Sequence, residues 1–411
     1  MDFDYLVAAV AVWILISATD DIAIAFVYFA RRRSIETSAD AAGRSPAIAI
    51  WVPLWKEAGV AAKMIAHNLS AIRYTNYHIF AGTYPNDPDT AREVRAGAQD
   101  AVNVHVCVCP HSGPTSKADC LNWIHQHMAG VEGREGIRFE VVLIHDAEDL
   151  IHPDSLGRVA GLCREFGMVQ TPVLALPTPW WEFVHGIYCD DFAYMHTVDL
   201  PVRARLGGFV PSAGVGTAIR RDALDLLAAT GHPFDPACLT EDYETGIRLR
   251  ELGVKQTFAP VLSGAATREY FPRTFRTAWR QRSRWVTGIV FQGWERHGWG
   301  GGQWYWFWRD RKGLLGNPVS LLANLLFVCG CATGISPLLL ASTGGLAVAQ
   351  TILKIWASAR IYGLAFGLLA PLRSMLANVL NTAASASAVW RYARCRILGA
   401  CPRIPEHRGN G

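Results

Sequence analysis

Phe139-Glu-Val-Val-Leu-Ile-His145 is a short apolar run that stops abruptly at Asp146-Ala147-Glu148-Asp149. Apolar stretches of this length suit strands buried on both faces, as in a parallel sheet covered by helices. Toward the N-terminus the pattern recurs. Ala47–Leu54 (AIAIWVPL), Tyr77–Thr83 (YHIFAGT) and Val102–Cys109 predict three more strands, and Lys56–Ala71, Thr90–Gln99 and Ser116–Ala129 predict the helices between them. Strand–helix alternation predicts an open α/β sheet, and such sheets bind ligands beyond the carboxyl ends of their strands. Asp146 and Glu148 fall at such an end. Two carboxylates one residue apart there can hold a hard cation such as Mg2+ or Mn2+, which takes oxygen ligands and bridges substrate phosphates. A solvated acidic turn has the same spelling.

Three further motifs follow the same logic, each with a plainer alternative. Lys117-Ala-Asp-Cys-Leu-Asn122 opens a helix after a Gly-Pro turn, where a lysine suits a phosphate or a buried carboxylate. Thr240-Glu241-Asp242 starts a helix running to Leu252, and a Thr followed by acidic residues is also an ordinary helix start. Gln281-Arg-Ser-Arg284-Trp285 shares its helix with Arg273, Arg276, Trp279 and Arg280. That mixture serves phosphates or a sugar face, or lies on a membrane with its arginines snorkelling.

Around this block the sequence turns apolar. Tyr5–Ala30 is interrupted only by Asp20 and Asp21, then followed by Arg31-Arg32-Arg33. About 20 apolar residues cross a bilayer, and the trailing arginines place that side in the cytosol. The positive charge follows the apolar run, which predicts an uncleaved anchor. Each mid-span aspartate costs on the order of 2.5–3.5 kcal/mol, so Asp20 and Asp21 are expected to cap a helix break or to pair with Arg360 or Arg373. Leu315–Leu340 and Leu346–Ala370 read as two more spans, with Gly344-Gly345 as the turn and Pro371 and Arg373 as the end. Ser374–Ile397, with Arg391, Arg394 and Arg396, reads as an interfacial helix. The expected division is an anchor over 1–33, a cytosolic α/β domain over 34–312, membrane helices over 313–373, and an interfacial helix and tail over 374–411.

Composition agrees. Hydrophobic residues reach 51% and charged residues 18%, against roughly 25% in soluble domains. This excludes a disordered chain. A net charge of +4 over 411 residues excludes a strongly basic nucleic-acid binder. The ten cysteines contain no C-x-x-C pair and are expected to be reduced, mostly buried thiols.

Taken in order, Pro53 and Glu57 after the first strand, Lys117-Ala-x-x-Leu-Asn122, Asp146-x-Glu148, Thr240-Glu-Asp242 and Gln281-x-x-Arg284-Trp285 before membrane helices resemble the processive-type family-2 glycosyltransferases, the relatives of cellulose, hyaluronan and chitin synthases. The resemblance covers roughly residues 45–290. Tyr77–Thr90, His145–Pro153 and Pro211–Arg221 add a closer likeness to a bacterial inner-membrane branch linked to phage reception and exopolysaccharide. Longer members of that branch carry a C-terminal cyclic-di-GMP-sensing domain, which this sequence is expected to lack.

The resemblance implies a GT-A (Rossmann-like) cytosolic domain flanked by transmembrane helices, acting as an inverting hexosyltransferase on a surface glycan. Asp146 and Glu148 would hold Mg2+ or Mn2+ against the donor diphosphate, and Asp242 would be the base. Pro53, Glu57, Lys117, Gln281, Arg284 and Trp285 would bind the nucleotide sugar. Glu241, Gly216 and Thr217 would meet the acceptor. The implied partners are a nucleotide-sugar donor, a glycan or lipid-linked acceptor, membrane lipid and an outer-membrane export partner, with no nucleic acid. The implied location is the inner membrane, crossed several times. The family's base-reading aspartate at the end of the second strand is replaced by Ala81-Gly82-Thr83-Tyr84, leaving Asp87 and Asp89 as later candidates. Single-sugar transfer to a lipid-linked acceptor and an inactive scaffold subunit are the alternatives.

Overall fold

A computed structural model of the chain describes residues 3–36, 45–229, 231–261, 266–333 and 337–398; the side chains of 3–4, 35–36, 328–333, 337–340, 342 and 398 also lie outside the description. The chain forms two compact units, one from Arg33–Leu174 with Arg203–Tyr270, the other from the described residues of Met1–Arg32, Ala175–Val202 and Phe271–Pro402. The expected 34–312 block is therefore divided: 175–202 and 271–312 belong with the helical unit.

The first unit is built on strands β1 (Ile48–Pro53), β2 (Tyr77–Thr83), β3 (Val104–Val108), β4 (Val141–Ile144), β5 (Met168–Gln170), β6 (Val173–Ala175), β7 (Thr217–Arg220), β8 (Gln256–Phe258) and β9 (Thr267–Glu269). Seven form one sheet in the order β3-β2-β1-β4-β7-β5-β8, and β6 pairs with β9. β3, β2, β1 and β4 are mutually parallel, so Val108, Thr83, Pro53 and Ile144 end on one edge. β7 runs antiparallel between β4 and β5.

Both faces of the sheet are covered. Ile48, Ile50 and Val52 of β1 join Ile65, Val94 and Leu156 on one face, while Ala49 and Trp51 join Ile124, Met128 and Leu224 on the other. Period-2 side chains that are apolar at every position have no polar face to show, which is why these strands read as continuous runs. The helix expected from Lys56 starts later, at Ala61, because Lys56 is in the left-handed region at φ 58° and the next residues turn. The helix after β3, Lys117–Glu135, is capped by Ser116 Oγ accepting from Asp119 N at 3.3 Å and stops at left-handed Gly136.

In the helical unit, one helix is long and apolar enough to cross a membrane, over Tyr5–Ser34; Gly313–Phe327 is apolar but shorter, among the described residues. The expected second and third spans are not supported. Lys354 and Arg360 interrupt the helix Pro337–Tyr362, and part of Leu315–Leu340 lies outside the described side chains. Gly344 and Gly345 lie inside that helix rather than at a turn. Pro371 stands in the first turn of helix Ala370–Leu398, where its missing N–H costs no helical bond, so it opens that helix instead of ending the previous one.

Asp20 and Asp21 pair with neither Arg360 nor Arg373. Asp20 accepts from Arg309, from Lys312 at 2.8 Å and from Tyr305 Oη at 2.6 Å, and Asp21 accepts from Lys312 at 2.6 Å. Arg373 is fully buried against Asp190 at 2.7 Å, and Arg360 donates to Tyr28 Oη. Six cysteines, Cys107, Cys109, Cys120, Cys163, Cys189 and Cys238, are buried and outside any disulfide. Cys395 carries a disulfide, against the expectation of reduced thiols, while the side chains of Cys329 and Cys331 and all of Cys401 lie outside the described residues.

Candidate active site

The parallel strand ends gather carboxylates from separate stretches of the α/β unit around one lysine. Lys117, at the start of its helix, donates to Asp146 Oδ1 at 2.5 Å and to the Gly214 carbonyl at 3.0 Å. Burial alone would lower its pKa, but Asp146, Glu241 and Asp242 around it outweigh burial and raise it, so the ammonium stays charged. Of the phosphate and the buried carboxylate expected for this lysine, Asp146 is a carboxylate within its reach.

Asp242 stands at the start of helix Glu241–Glu251, which packs so closely on the preceding loop that a Cβ on Gly246 would meet the Val210 carbonyl at 2.1 Å. Gly214 has φ 79°, and a Cβ there would lie 2.9 Å from Asp242 Oδ2. Glycine thus brings the loop backbone against the carboxylate and lets its carbonyl reach Lys117. Gly216, with φ 62°, is equally constrained: a Cβ would sit 2.2 Å from Thr171 Oγ1. Thr217 is fully buried on β7, its hydroxyl donating to Gln170 Oε1 at 2.7 Å and hydrogen-bonding Ser212 at 2.7 Å. The acceptor role expected for Thr217 does not fit this burial. Gln170 ties the loop further, accepting from Ala213 N and donating to the Val215 carbonyl.

On the other side of Lys117 lies the acidic turn. Burial, then Asp146 and Asp149, push the Glu148 carboxyl up to about 8. Burial, then Asp149 and Asp146, raise Glu269, and burial, then Asp146 and Asp87, raise Glu57. Glu269 was not visible in the sequence. It lies on the three-residue strand β9, brought beside the turn by reciprocal bonds between Leu150 and Arg268, with Leu150 N to Arg268 O at 2.9 Å. Crowded, dehydrated carboxylates of this kind are relieved by a divalent cation, and their hard oxygens suit Mg2+ or Mn2+. Among the described residues no three Asp, Glu, His or Cys side chains already form a cage. A site on Asp146 and Glu148 would thus be completed by phosphate oxygens and water, the usual habit of Mg2+.

Pro53 ends β1, and Glu57 lies in the turn that follows. Asp87 is buried and accepts from Lys56 N at 2.6 Å, and Asp89 pairs with Arg92 on the surface. Gln281, Arg284 and Trp285 lie on helix Phe275–Val286 of the helical unit. Trp285 packs 6.2 Å from Tyr188 and 6.3 Å from Phe192. The intervening Arg282 is spent locally: it bonds Asp191 at 3.0 Å and Asn381 at 2.6 Å and stacks on Tyr188.

A family model described as glycosyltransferase like family 2 matches residues 46–288. Bacteriophage adsorption protein B of Escherichia coli K12 is 37% identical across 96% of this chain and 60% of its own length. Bacteriophage N4 adsorption protein B of Escherichia coli O157:H7 gives the same identity and coverage. The chain thus spans about 60% of the length of these curated relatives. Among solved structures, the mannosyltransferase PcManGT from Pyrobaculum calidifontis, in complex with GDP-Man and Mn2+, matches with a TM-score of 0.55 and 16% identity, over 93% of this chain and 99% of that one. At that identity the likeness bears on the fold alone, and the fold is GT-A-like.

Proposed function

The chain belongs to glycosyltransferase family 2, and from that premise we propose that it is a membrane-associated, metal-dependent transferase that moves a sugar, with inversion, from a nucleotide-sugar donor to a growing surface glycan. The observation that carries this reading is Lys117, which ties Asp146 to the Gly214 loop beside Asp242. One cation thereby sets the spacing between the carboxylates for the donor and the carboxylate for the acceptor.

Asp242 takes the proton of the acceptor hydroxyl as that oxygen attacks the anomeric carbon, and the bond from that carbon to the diphosphate breaks. No enzyme nucleophile is needed. Asp146 and Glu148 hold a divalent cation, which when bound supplies charge stabilisation to the departing diphosphate. Lys117 keeps the two halves of the site in register, and Glu241 orients the acceptor. Pro53 and Glu57 bind the donor. The span Tyr5–Ser34 anchors the chain. Kinship with proteins named for bacteriophage adsorption supports a product at the cell surface.

The test is nucleotide release by the full chain in lipid with UDP-, GDP- and CMP-sugars and Mg2+ or Mn2+, beside Asp242→Asn. Metal-dependent release of one nucleotide, lost in the variant with its fold intact, is the expected result. Equal release by the variant would remove Asp242 as base.

A further inference from the structure

We infer that Asp149, clamped by His145, is the positioning residue that holds Asp146 and Glu148 in place for a divalent cation; this rests on the metal-dependent reading above. Asp149 Oδ2 accepts two bonds at 2.9 Å each, from the backbone N–H of Asp146 and from Nδ1 of His145. The Asp149 N–H returns to the Asp146 carbonyl at 3.3 Å. The turn carrying both proposed ligands is therefore closed reciprocally by one residue, through its side chain in one direction and its backbone N–H in the other. His145 is itself fixed to the sheet, its N–H donating to the Trp51 carbonyl at 2.9 Å. Leu150, on the far side of Asp149, is bridged to Arg268 in both directions.

Both clamp side chains are 1% exposed. His145 Nε2 and Asp149 Oδ1 find no hydrogen-bond partner among the described residues. Burying a histidine and a carboxylate with half their polar atoms unmet is costly, and an apolar residue at 145 would pack without that cost. What the pair supplies is a single oxygen that grips two donors. The Nδ1–H of His145 and the backbone N–H of Asp146 meet on that oxygen, so the imidazole keeps the Asp149 side chain pointing at Asp146 N. Hydrogen-bond partners of metal ligands act in this way, and their loss typically costs about 10- to 100-fold in metal affinity.

The experiment titrates Mn2+ alone into the full chain in detergent and follows the free ion by electron paramagnetic resonance, with thermal unfolding of each variant as a fold check. Wild-type binding lost in Asp146→Asn and Glu148→Gln establishes the site. Binding unaffected by both substitutions overturns the metal reading, and this inference with it. With the site established, Asp149→Asn should weaken Mn2+ binding about 10- to 100-fold at a near-native unfolding midpoint. A folded Asp149→Asn that binds like wild type would overturn the positioning role alone. His145 decides the matter even if Asp149→Asn does not fold. His145→Phe should weaken binding, whereas His145→Asn, whose amide N–H can replace Nδ1–H, should restore it toward the wild-type value. Equal affinity in these two variants would also overturn it.

Discussion

The Nζ of Lys117 lies 2.5 Å from Asp146 Oδ1, and the same ammonium reaches the Gly214 carbonyl, on the glycine whose absent Cβ leaves space for Asp242. A lysine from the helix after β3 thus joins a carboxylate after β4 to a loop before β7. Replacing it with methionine keeps the stem and removes the charge. Lys117 is 10% exposed at its side chain, so Lys117→Met leaves Asp146 largely dehydrated and unpaired. Breaking a buried pair from one side costs about 3–5 kcal/mol, and the partial exposure of Asp146 puts this case at the lower end. Nucleotide release should fall by about 100-fold or more, and calorimetric unfolding should show the stability loss separately.

Gly214→Ala makes a different kind of lesion. The residue is left-handed, which costs a non-glycine about 1–3 kcal/mol. Its new methyl would press on Asp242 Oδ2. A displacement near 1 Å at a reacting group costs about 100-fold in rate. The expected result is a steep fall in turnover, with donor binding by calorimetry close to wild type.

In the helical unit, Arg309 serves three carboxylates, bonding Asp20, Asp199 at 2.7 Å and Asp21 at 3.4 Å. Arg309→Met leaves Lys312 to face Asp20 and Asp21 and removes the Arg309–Asp199 ion pair. Destabilisation of about 3 kcal/mol is expected in detergent, measured by chemical unfolding. Asp20→Asn, which keeps an acceptor oxygen for Tyr305, should cost less.

His196 gives the pH prediction. Burial lowers its pKa from 6.5 to about 3. Between those values the unfolded chain binds a proton that the folded chain refuses, so stability rises with pH there and is lost as pH falls below about 6.5. The slope from one such group is about 1.4 kcal/mol per pH unit. His196→Phe should flatten the unfolding midpoint between pH 6.5 and 4.5 by that one proton. An unchanged pH profile would show that His196 is not the group responsible.

Much of the α/β unit was legible because its strands are buried on both faces. Ile48–Pro53 and Val141–Ile144 carry no polar face, so their apolar runs announce both the element and its depth. Asp146, Glu148, Lys117 and Asp242 were legible because each stands at an element's end beside a recognisable spelling. Glu269 and the clamp on Asp149 were not, since their placement depends on the pairing of Leu150 with Arg268, contacts far apart in sequence with no local signature. The burial of Thr217 was not legible, because nothing local tells that an antiparallel strand will slot between β4 and β5. The partners of Asp20 escaped for a related reason: Arg309 and Lys312 sit in a tryptophan-rich stretch whose composition suggests an interfacial belt and hides the helix packing that aims the cations inward.

The division of the chain between two units also bears on how it is made. The residues up to Leu174 supply β1 to β5, then Ala175–Val202 is built into the helical unit before the chain returns with β7 and β8. A ribosome therefore delivers one layer of the helical unit before the sheet receives its antiparallel strand between β4 and β5. The sheet cannot close early, and a protease cut or an expression boundary anywhere between β1 and β8 would divide both units. Fragment complementation with breaks in the 175–202 excursion, read against breaks within β1–β4, would show which unit's completion governs the yield of folded chain.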